Sequence, residues 1–223
     1  RGVRSHTGSL SGSGEIWNAV IKQAGLVKIE NFQELVGFIS AFQSSYLPRG
    51  NRVVVISGPG GPAVSTADAC EKAGLKLAVL SEESKRKLAE IIPEFGTSTS
   101  NPVDLSLSST FDVTMYPKAT EICGLDENVD MLVEFIALLN KELIEGLINA
   151  QKKVKKPIAI ISSVEYAMLE TSVSKLFGVS EGMKLTEGLM KMYEAGISVH
   201  SSEQEAAKAL VARLNYRRYL ERA

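Results

Sequence analysis

The sequence has little of what marks membrane-spanning or nucleic-acid-binding proteins. No apolar run among its 223 residues approaches the roughly 20 residues that a membrane-spanning helix needs. An excess of one charge is also missing, because 25 basic and 26 acidic residues leave a net charge of −1. A chain with this balance has no general attraction for nucleic acid or an anionic membrane, so we expect its partners to be recognised through local sites.

Cysteine is scarce as well. Cys70 and Cys123 are far apart, and each lies in a segment predicted to be a half-apolar helix. We interpret both as reduced core residues rather than as a disulfide pair or metal ligands. Since no signal peptide is recognisable in the sequence, we expect a cytoplasmic protein. We also expect it to have no metal site of its own.

What the sequence does have is apolar material and a regular alternation of elements. Hydrophobic residues make up 44% of the chain, which is enough for one large or two small domains. The predicted strands beyond residue 50 cover residues 53–56, 76–80, 129–136, 157–161 and 197–199. Strands alternating with helices predict an α/β fold with a doubly wound, mostly parallel, flavodoxin-like sheet, which binds ligands at the carboxyl ends of its strands.

Helical segments separate these strands. They cover residues 63–73, 82–92, 112–122, 141–154, two stretches within 165–193, and 202–222. Pro117 falls inside one of them and predicts a kink. Ser81 and Ser202 are predicted N-caps, the second with Glu205 in the capping-box position.

Residues 1–46 predict a separate unit. A helix at 15–23, a short strand at 26–29 and a helix at 32–42 follow one another there. A strand this short with no earlier partner cannot close a sheet, so we interpret the region as the C-terminal part of a second such domain. The boundary is predicted near residue 47, which leaves 47–223 as the other domain.

The most informative stretch is a glycine-rich loop. Residues 53–56 are all β-branched and predict a strand buried on both faces. Gly58, Gly60 and Gly61 then leave the backbone bare, and Pro62 favours the first turn of a helix. Free amides and the positive end of the helix dipole predict an anion site there, with phosphate as the expected ligand.

The candidate phosphate-binding residues of this loop are Gly58, Gly60, Gly61, Ala63 and Val64. Their pattern differs from the dinucleotide-binding Gly-x-Gly-x-x-Gly and lacks the Gly-Lys-Ser/Thr ending of the P-loop, so both of these sites are disfavoured. A glycine turn between a strand and a helix is also often only a tight connection. The pattern itself leaves that alternative open.

A histidine near the start is the other candidate. His6 lies in a glycine- and serine-rich tract without hydrophobic periodicity, which predicts an exposed and mobile loop. Considered alone, a histidine in such a loop is usually only solvated. The second histidine, His200, follows a short predicted strand and is interpreted as making local hydrogen bonds.

Four short segments together resemble one family. Residues 5–10 read Ser-His-Thr-Gly-Ser-Leu, 48–51 read Pro-Arg-Gly-Asn, 57–63 read Ser-Gly-Pro-Gly-Gly-Pro-Ala, and 101–105 read Asn-Pro-Val-Asp-Leu. In this order they resemble the NDP-forming (ADP-forming) acyl-CoA synthetases, or acetate–CoA ligases, of the succinyl-CoA synthetase superfamily. The sheet is then expected to be succinyl-CoA-synthetase-like.

The likeness covers nearly the whole chain and is weakest between residues 138 and 196. Two positions of the glycine loop depart from the family pattern. Gly58 stands where the family often has Asn, and Ala63 replaces its usual last Gly. Both replacements leave the loop bare.

The resemblance implies an acid–thiol ligase that interconverts acyl-CoA, ADP and phosphate with carboxylate, CoA and ATP through a phosphohistidine at His6. The glycine-loop helix would hold the phosphoryl group. CoA and ATP or ADP with Mg²⁺ would be substrates of the complete enzyme, which has no prosthetic group. The implied partners are a CoA-binding Rossmann domain and an ATP-grasp domain or subunit in an oligomer, so this chain alone is expected to be inactive.

Asn101 and Asp104 are secondary candidates, because they follow the second predicted strand on the expected ligand side, although such an Asn-Pro-x-Asp turn commonly only bends the chain. Two other functions stay open. One is a regulatory or scaffold relative, as in protein acetyltransferases. The other is a flavodoxin-like module that binds a small phosphorylated ligand.

Overall fold

The computed structural model describes residues 13–162 and 185–222, and every structural statement below refers to them. His6 and most of the predicted helical region within 165–193 lie outside the described residues.

Six strands and eight α-helices are described. The strands are β1 (Arg52–Ser57), β2 (Lys76–Leu77), β3 (Val103–Asp104), β4 (Met131–Phe135), β5 (Ile158–Ile161) and β6 (Ile197–His200). The helices are α1 (Gly14–Gln23), α2 (Phe32–Phe42), α3 (Gly60–Lys72), α4 (Glu82–Ala89), α5 (Met115–Leu125), α6 (Lys141–Val154), α7 (Leu185–Glu194) and α8 (Glu203–Leu220), with a 3₁₀ turn at Leu107–Thr110.

The strands form one parallel sheet with the order β2-β1-β4-β5-β6. The short strand β3 also pairs with β1, at its carboxyl end, where Ile56 lies beside Val103. Apart from β3, this is the 2-1-3-4-5 order of the flavodoxin-like fold, with the order reversing between β1 and β4. The predicted doubly wound sheet is therefore confirmed.

Alternate residues of β1 supply the two cores of the molecule. Val54 and Ile56 face a core formed with α4, α5, α6 and α7. Val53 and Val55 face a second core formed with α3 and α8. Because helices cover both faces, the central strands are apolar throughout, and this explains why β1 is a run of β-branched residues.

The helices begin at polar caps that the sequence supplies. Asn31, Ser81, Asn140 and Ser202 each accept a hydrogen bond from a backbone N–H in the first turn of α2, α4, α6 and α8. This satisfies one of the otherwise free donors at each helix start. The predicted caps at Ser81 and Ser202 are therefore confirmed.

Several predicted elements differ from the structure. Residues 26–29 form no strand, because the described residues offer them no strand to pair with. Of the strand predicted at 76–80, only β2 forms. Strand β3 lies outside every predicted strand. Pro117 causes no break because it lies in the first turn of α5, where a missing N–H costs no hydrogen bond.

The first two helices differ in how they pack. No residue of α1 is buried. Helix α2 packs through Phe38 and Ala41 against Ala209 of α8. The outer side of α2 leaves Phe32 and Val36 exposed. No described helix is long and apolar enough to cross a membrane.

Candidate functional site

The glycine loop lies at the carboxyl edge of the sheet, where ligands bind in folds of this class. It connects β1 to α3, and helix α3 begins at Gly60, earlier than the sequence predicts. Gly60 and Gly61 are exposed to solvent, whereas Gly58 is buried. The first turn of α3 therefore opens on the surface of the chain.

The three glycines are present for different reasons, and none of them has a positive φ. A Cβ on Gly58 would overlap Ser109, and a Cβ on Gly60 would lie 2.8 Å from an Asp104 carboxylate oxygen. A Cβ on Gly61 would meet nothing within 4 Å. Glycine is therefore required at 58 and 60 because other side chains approach the backbone closely there. Packing does not explain the glycine at 61.

The backbone donors of the loop are divided in the same way. The N–H of Gly58 donates to the Tyr116 hydroxyl at 2.7 Å, and the N–H of Ala63 donates to the carbonyl of Pro59 at 3.2 Å. Within the described residues, the N–H groups of Gly60 and Gly61 have no acceptor. Pro59, which precedes the helix, offers no side-chain cap. The five predicted phosphate-binding residues thus contribute unequally, since open donors remain at Gly60 and Gly61.

Tyr116 closes the crevice between β1 and β4. Its hydroxyl accepts from the N–H of Gly58 and donates to the carbonyl of Phe135 at 2.6 Å. Burial raises the pKa of this hydroxyl far above its usual value, so it stays protonated. Tyr116 was not among the predicted site residues. Nothing in the sequence around it indicates that its hydroxyl lies at the ends of β1 and β4.

Asp104 lies beside the open helix start. Its Oδ1 accepts from the N–H of Ser106 at 2.8 Å, and its Oδ2 lies close to Gly60. Ser106 has a φ of 60°, an uncommon conformation for a residue other than glycine. The structure therefore brings Asp104 to the predicted phosphate site, where its negative charge would act on any anion bound at the helix start.

Asn101 has a different place. Its Oδ1 accepts from the N–H of Val55 at 3.0 Å, and its Nδ2 donates to the carbonyls of Val53 and Ala78 at 2.8 and 3.0 Å. The side chain fills the edge of β1 between β2 and β3, and all of these hydrogen bonds go to the backbone. This geometry supports a structural role in the sheet.

A buried carboxyl group lies near the same edge. Glu134 of β4 is fully buried beside Ile56 and accepts one hydrogen bond, from Thr120 at 2.9 Å. Its second oxygen has no partner among the described residues. Burial raises the pKa of Glu134 to about 8, so the carboxyl is largely protonated at neutral pH.

His200 ends β6 and is buried. One ring nitrogen lies 2.9 Å from the Ser198 hydroxyl, and the other lies 3.7 Å from a carboxylate oxygen of Glu205. Burial opposes ionisation of Glu205, but the nearby His200 ring and hydrogen bonds from the N–H and hydroxyl of Ser201 outweigh it and hold the pKa of Glu205 below the usual range. The local role expected for His200 is consistent with these contacts.

Gly50, Arg52 and Asp130 meet at the opposite edge of the sheet. The guanidinium of Arg52 donates to both carboxylate oxygens of Asp130 at 2.9 and 3.0 Å, and the Arg52 N–H donates to the same group at 3.0 Å. A side chain on Gly50 would overlap this carboxylate. Burial opposes ionisation of Asp130, but the bonds from Arg52 hold its pKa below the usual range.

The described residues contain no cluster of three or more His, Cys, Asp or Glu side chains placed to hold a metal ion. Both cysteines are buried, and burial raises the pKa of each thiol. They are core residues, as the sequence indicates.

Fold and loop together define the class of the protein: a doubly wound, flavodoxin-like α/β chain with an open helix start at its ligand-binding edge. Two family profiles match the sequence. The first is described as a succinyl-CoA ligase like flavodoxin domain and covers residues 1–42; the second is described as a Ligase-CoA domain and covers residues 53–134.

Curated relatives agree with these profiles. The chain is 36% identical to the alpha subunit of acetate–CoA ligase (ADP-forming) II from Pyrococcus furiosus, over 74% of this chain and 37% of that protein. It is 29% identical to 4-hydroxybutyrate–CoA ligase (ADP-forming) from Nitrosopumilus maritimus, over 97% of this chain and 28% of that protein. The chain belongs to the ADP-forming acyl-CoA synthetase, or acetate–CoA ligase, family of the succinyl-CoA synthetase superfamily.

A solved structure supports the fold. Dinucleotide-forming acetyl-coenzyme A synthetase 1 from Candidatus Korarchaeum cryptofilum, in complex with phosphate and ADP, matches 99% of this chain and 45% of its own, with a TM-score of 0.77 at 21% identity. The chain thus spans less than half the length of each of these relatives.

Proposed function

We propose that this chain is the part of an ADP-forming acyl-CoA synthetase that carries and receives the phosphoryl group. In the complete enzyme, acyl-CoA, ADP and phosphate would be interconverted with carboxylate, CoA and ATP. Its relatives are named as ADP-forming CoA ligases and are more than twice as long, so CoA and nucleotide would be bound mainly by other domains. A CoA-binding Rossmann domain and an ATP-grasp domain or subunit, with Mg²⁺, are the partners that this proposal requires.

The open N–H groups of Gly60 and Gly61 are the observation that carries the proposal. They lie in the first turn of α3, where the helix dipole adds a positive field, and they face solvent rather than the chain's own core. A group brought from outside can therefore reach these amides directly.

His6 is proposed as the phosphoryl carrier. Phosphate displaces CoA from acyl-CoA to give an acyl phosphate. An imidazole nitrogen then attacks its phosphorus atom, and an N–P bond forms as the P–O bond to the departing carboxylate breaks. A terminal oxygen of ADP then attacks the same phosphorus and frees the imidazole as ATP forms. The amides of Gly60 and Gly61 would stabilise the negative charge on the phosphoryl oxygens in both transfers that involve His6.

Asp104 is proposed to act on this site through its charge. A carboxylate beside the open amides disfavours a free phosphate dianion and favours an anion that brings a positive or N–H-bearing group with it. A phosphorylated imidazole has such a group in its second ring nitrogen. This supports His6 over free inorganic phosphate as the form in which the phosphoryl group is held.

The test is an intact-mass measurement after the chain is mixed with its CoA- and nucleotide-binding partners and Mg-ATP. We expect a single phosphate adduct that survives base and is lost in acid. The chain has two histidines, and His200 is buried, so a His6→Asn variant that is still folded should show no adduct. An adduct retained in that variant would remove His6 from the mechanism.

A regulatory or scaffold role remains the second candidate, and a chain that forms no adduct with functional partners would support it. A flavodoxin-like module for a small ligand has less support. The Tyr116 hydroxyl bridges Gly58 and Phe135 and so fills the crevice between β1 and β4, where such modules bind their ligands.

A further inference from the structure

The connection between α2 and β1 is bound to the body of the protein by a buried arginine. Arg213 of α8 has no exposed surface, and its Nη2 donates to the backbone carbonyls of Ser44 and Tyr46. Burial lowers the pKa of Arg213 to about 10, so the guanidinium stays charged at neutral pH. Its Nε and Nη1 have no acceptor among the described residues, so these two carbonyls supply its hydrogen bonds there. A buried charge is costly unless it is hydrogen-bonded, so moving the connection away from Arg213 would be unfavourable.

The turn before β6 is shaped to receive the same connection. Gly196 has a φ of +82°, and a Cβ there would lie 2.7 Å from the Ser44 hydroxyl. That hydroxyl accepts from the N–H of Tyr46 at 3.2 Å. Ser44, which is buried, thus contacts both the Gly196 turn and Arg213.

Helix α2 is fixed at its inner face by two further contacts. Lys208 of α8 donates to Glu34 at 2.6 Å and to Glu30 at 3.2 Å. Gly37 lies so close to Glu205 that any side chain there would overlap the carboxylate. These contacts add to the packing of Phe38 on α8, so helix and connection are bound to the same two elements, β6 and α8.

We propose that α2 and residues 43–48 form a fixed joint with β6 and α8. Arg213 is the positioning residue of this joint, and it keeps α2 from turning relative to the sheet domain about residues 43–48. A sequence break at 47–51 would ordinarily suggest a flexible linker. The joint instead fixes the direction in which α2 points relative to the glycine loop. It depends on described residues alone and does not rest on the proposed function.

The test measures the distance between two spin labels across the joint. Labels at Val36→Cys on α2 and Asp68→Cys on α3 lie at exposed positions, in a background where Cys70 and Cys123 are replaced by Ala. We expect one narrow distance distribution in this parent protein. Arg213→Met, which keeps the bulk and removes the donors, should broaden the distribution roughly twofold or more, since small interfaces between domains permit motion by default.

Two controls separate the joint from general loosening. Arg217→Met, one turn later on α8, removes an exposed ion pair with Glu221 and should leave the distribution narrow. A label pair at Asp68→Cys and Lys152→Cys, both within the sheet domain, should stay narrow in every variant. If Arg213→Met fails to fold, Arg213→Lys replaces it, with an intermediate width expected because an ammonium group can still donate to a carbonyl.

Two results would overturn the proposal. One is a broad distribution across the joint in the parent protein, which would show that the connection turns freely. The other is an unchanged width in a folded Arg213 variant, which would show that packing of α2 alone holds the two parts together.

Discussion

The two ends of β1 carry glycine motifs that look alike and do opposite things. At the amino end, Gly50 lets Asp130 approach, and that carboxylate takes the backbone N–H and the side chain of Arg52. At the carboxyl end, the amides of Gly60 and Gly61 have no acceptor among the described residues. Gly50 makes room for a carboxylate that binds the protein's own backbone, whereas Gly60 and Gly61 leave open the amides at which we propose that the phosphoryl group binds.

The largest change in stability is expected from Glu134, which lies beside the carboxyl half of β1. Its pKa is raised from 4.5 to about 8, so the folded protein binds one more proton than the unfolded chain between these values. The contribution of Glu134 to the free energy of unfolding should therefore be greatest below pH 4.5 and fall by about 1.4 kcal/mol per pH unit up to about pH 8.

Glu134→Gln should flatten this dependence, since an amide does not titrate. Urea denaturation between pH 5 and pH 8 measures it in both proteins. Parallel pH profiles would show that Glu134 is ionised or solvated in the native protein.

Asp130→Ala tests the closed end of β1. It leaves the backbone N–H and the guanidinium of Arg52 without their acceptor, and a lost charge-assisted pair at a largely buried carboxylate costs about 2–3 kcal/mol. The pKa of Asp130 is held low in the folded protein, so its stabilisation should be present above the unfolded pKa and lost as the pH falls through the folded pKa.

The measurement is the free energy of unfolding of both proteins at pH 7 and under acid conditions. The difference between them should shrink in acid. Phosphoryl transfer should stay unchanged in a folded Asp130→Ala variant, because this end of the sheet is remote from the glycine loop; a large loss of activity would contradict the division between the ends.

Gly58→Ala tests the buried glycine of the carboxyl end. The added Cβ would overlap Ser109 and lie 3.0 Å from the Tyr116 hydroxyl, and such overpacking costs about 1–3 kcal/mol. A thermal melt should show the loss. An unchanged transition would mean that the loop shifts easily and that Tyr116 does not hold it.

The sequence predicted the alternation of strands and helices well because burial on both faces leaves a strong pattern, as in β1 and in the helix Lys141–Val154, whose bounds match the prediction. It failed where structure depends on distant partners. Residues 26–29 have strand propensity but no neighbouring strand, and Asn101 matches a family motif yet fills a gap in the sheet.

The candidate site shows the same limit. The glycine loop was visible in the sequence, but which of its amides are open depends on Tyr116, which lies more than 50 residues away in the chain. The proximity of Asp104 to Gly60 depends in turn on the pairing of β3 with β1. The role of His6 is still a prediction, since that residue lies outside the described part of the chain.

Gly61→Ala has the smallest expected effect on stability and tests whether the open amides of α3 bind the phosphoryl group. A Cβ at this position meets no protein atom within 4 Å and φ is not positive, so the free energy of unfolding should stay equal or rise by up to about 0.5 kcal/mol. The same methyl group would stand where the phosphoryl oxygens approach the amides.

The measurement is the rate at which the phosphate adduct forms on His6 in the assembled enzyme, for the wild-type chain and for a Gly61→Ala variant with an unchanged thermal transition. We expect the variant to be slower by about 10-fold or more, which corresponds to roughly 1.4 kcal/mol of lost stabilisation. A normal rate in the folded variant would contradict it and would make the glycine loop only a tight connection between β1 and α3.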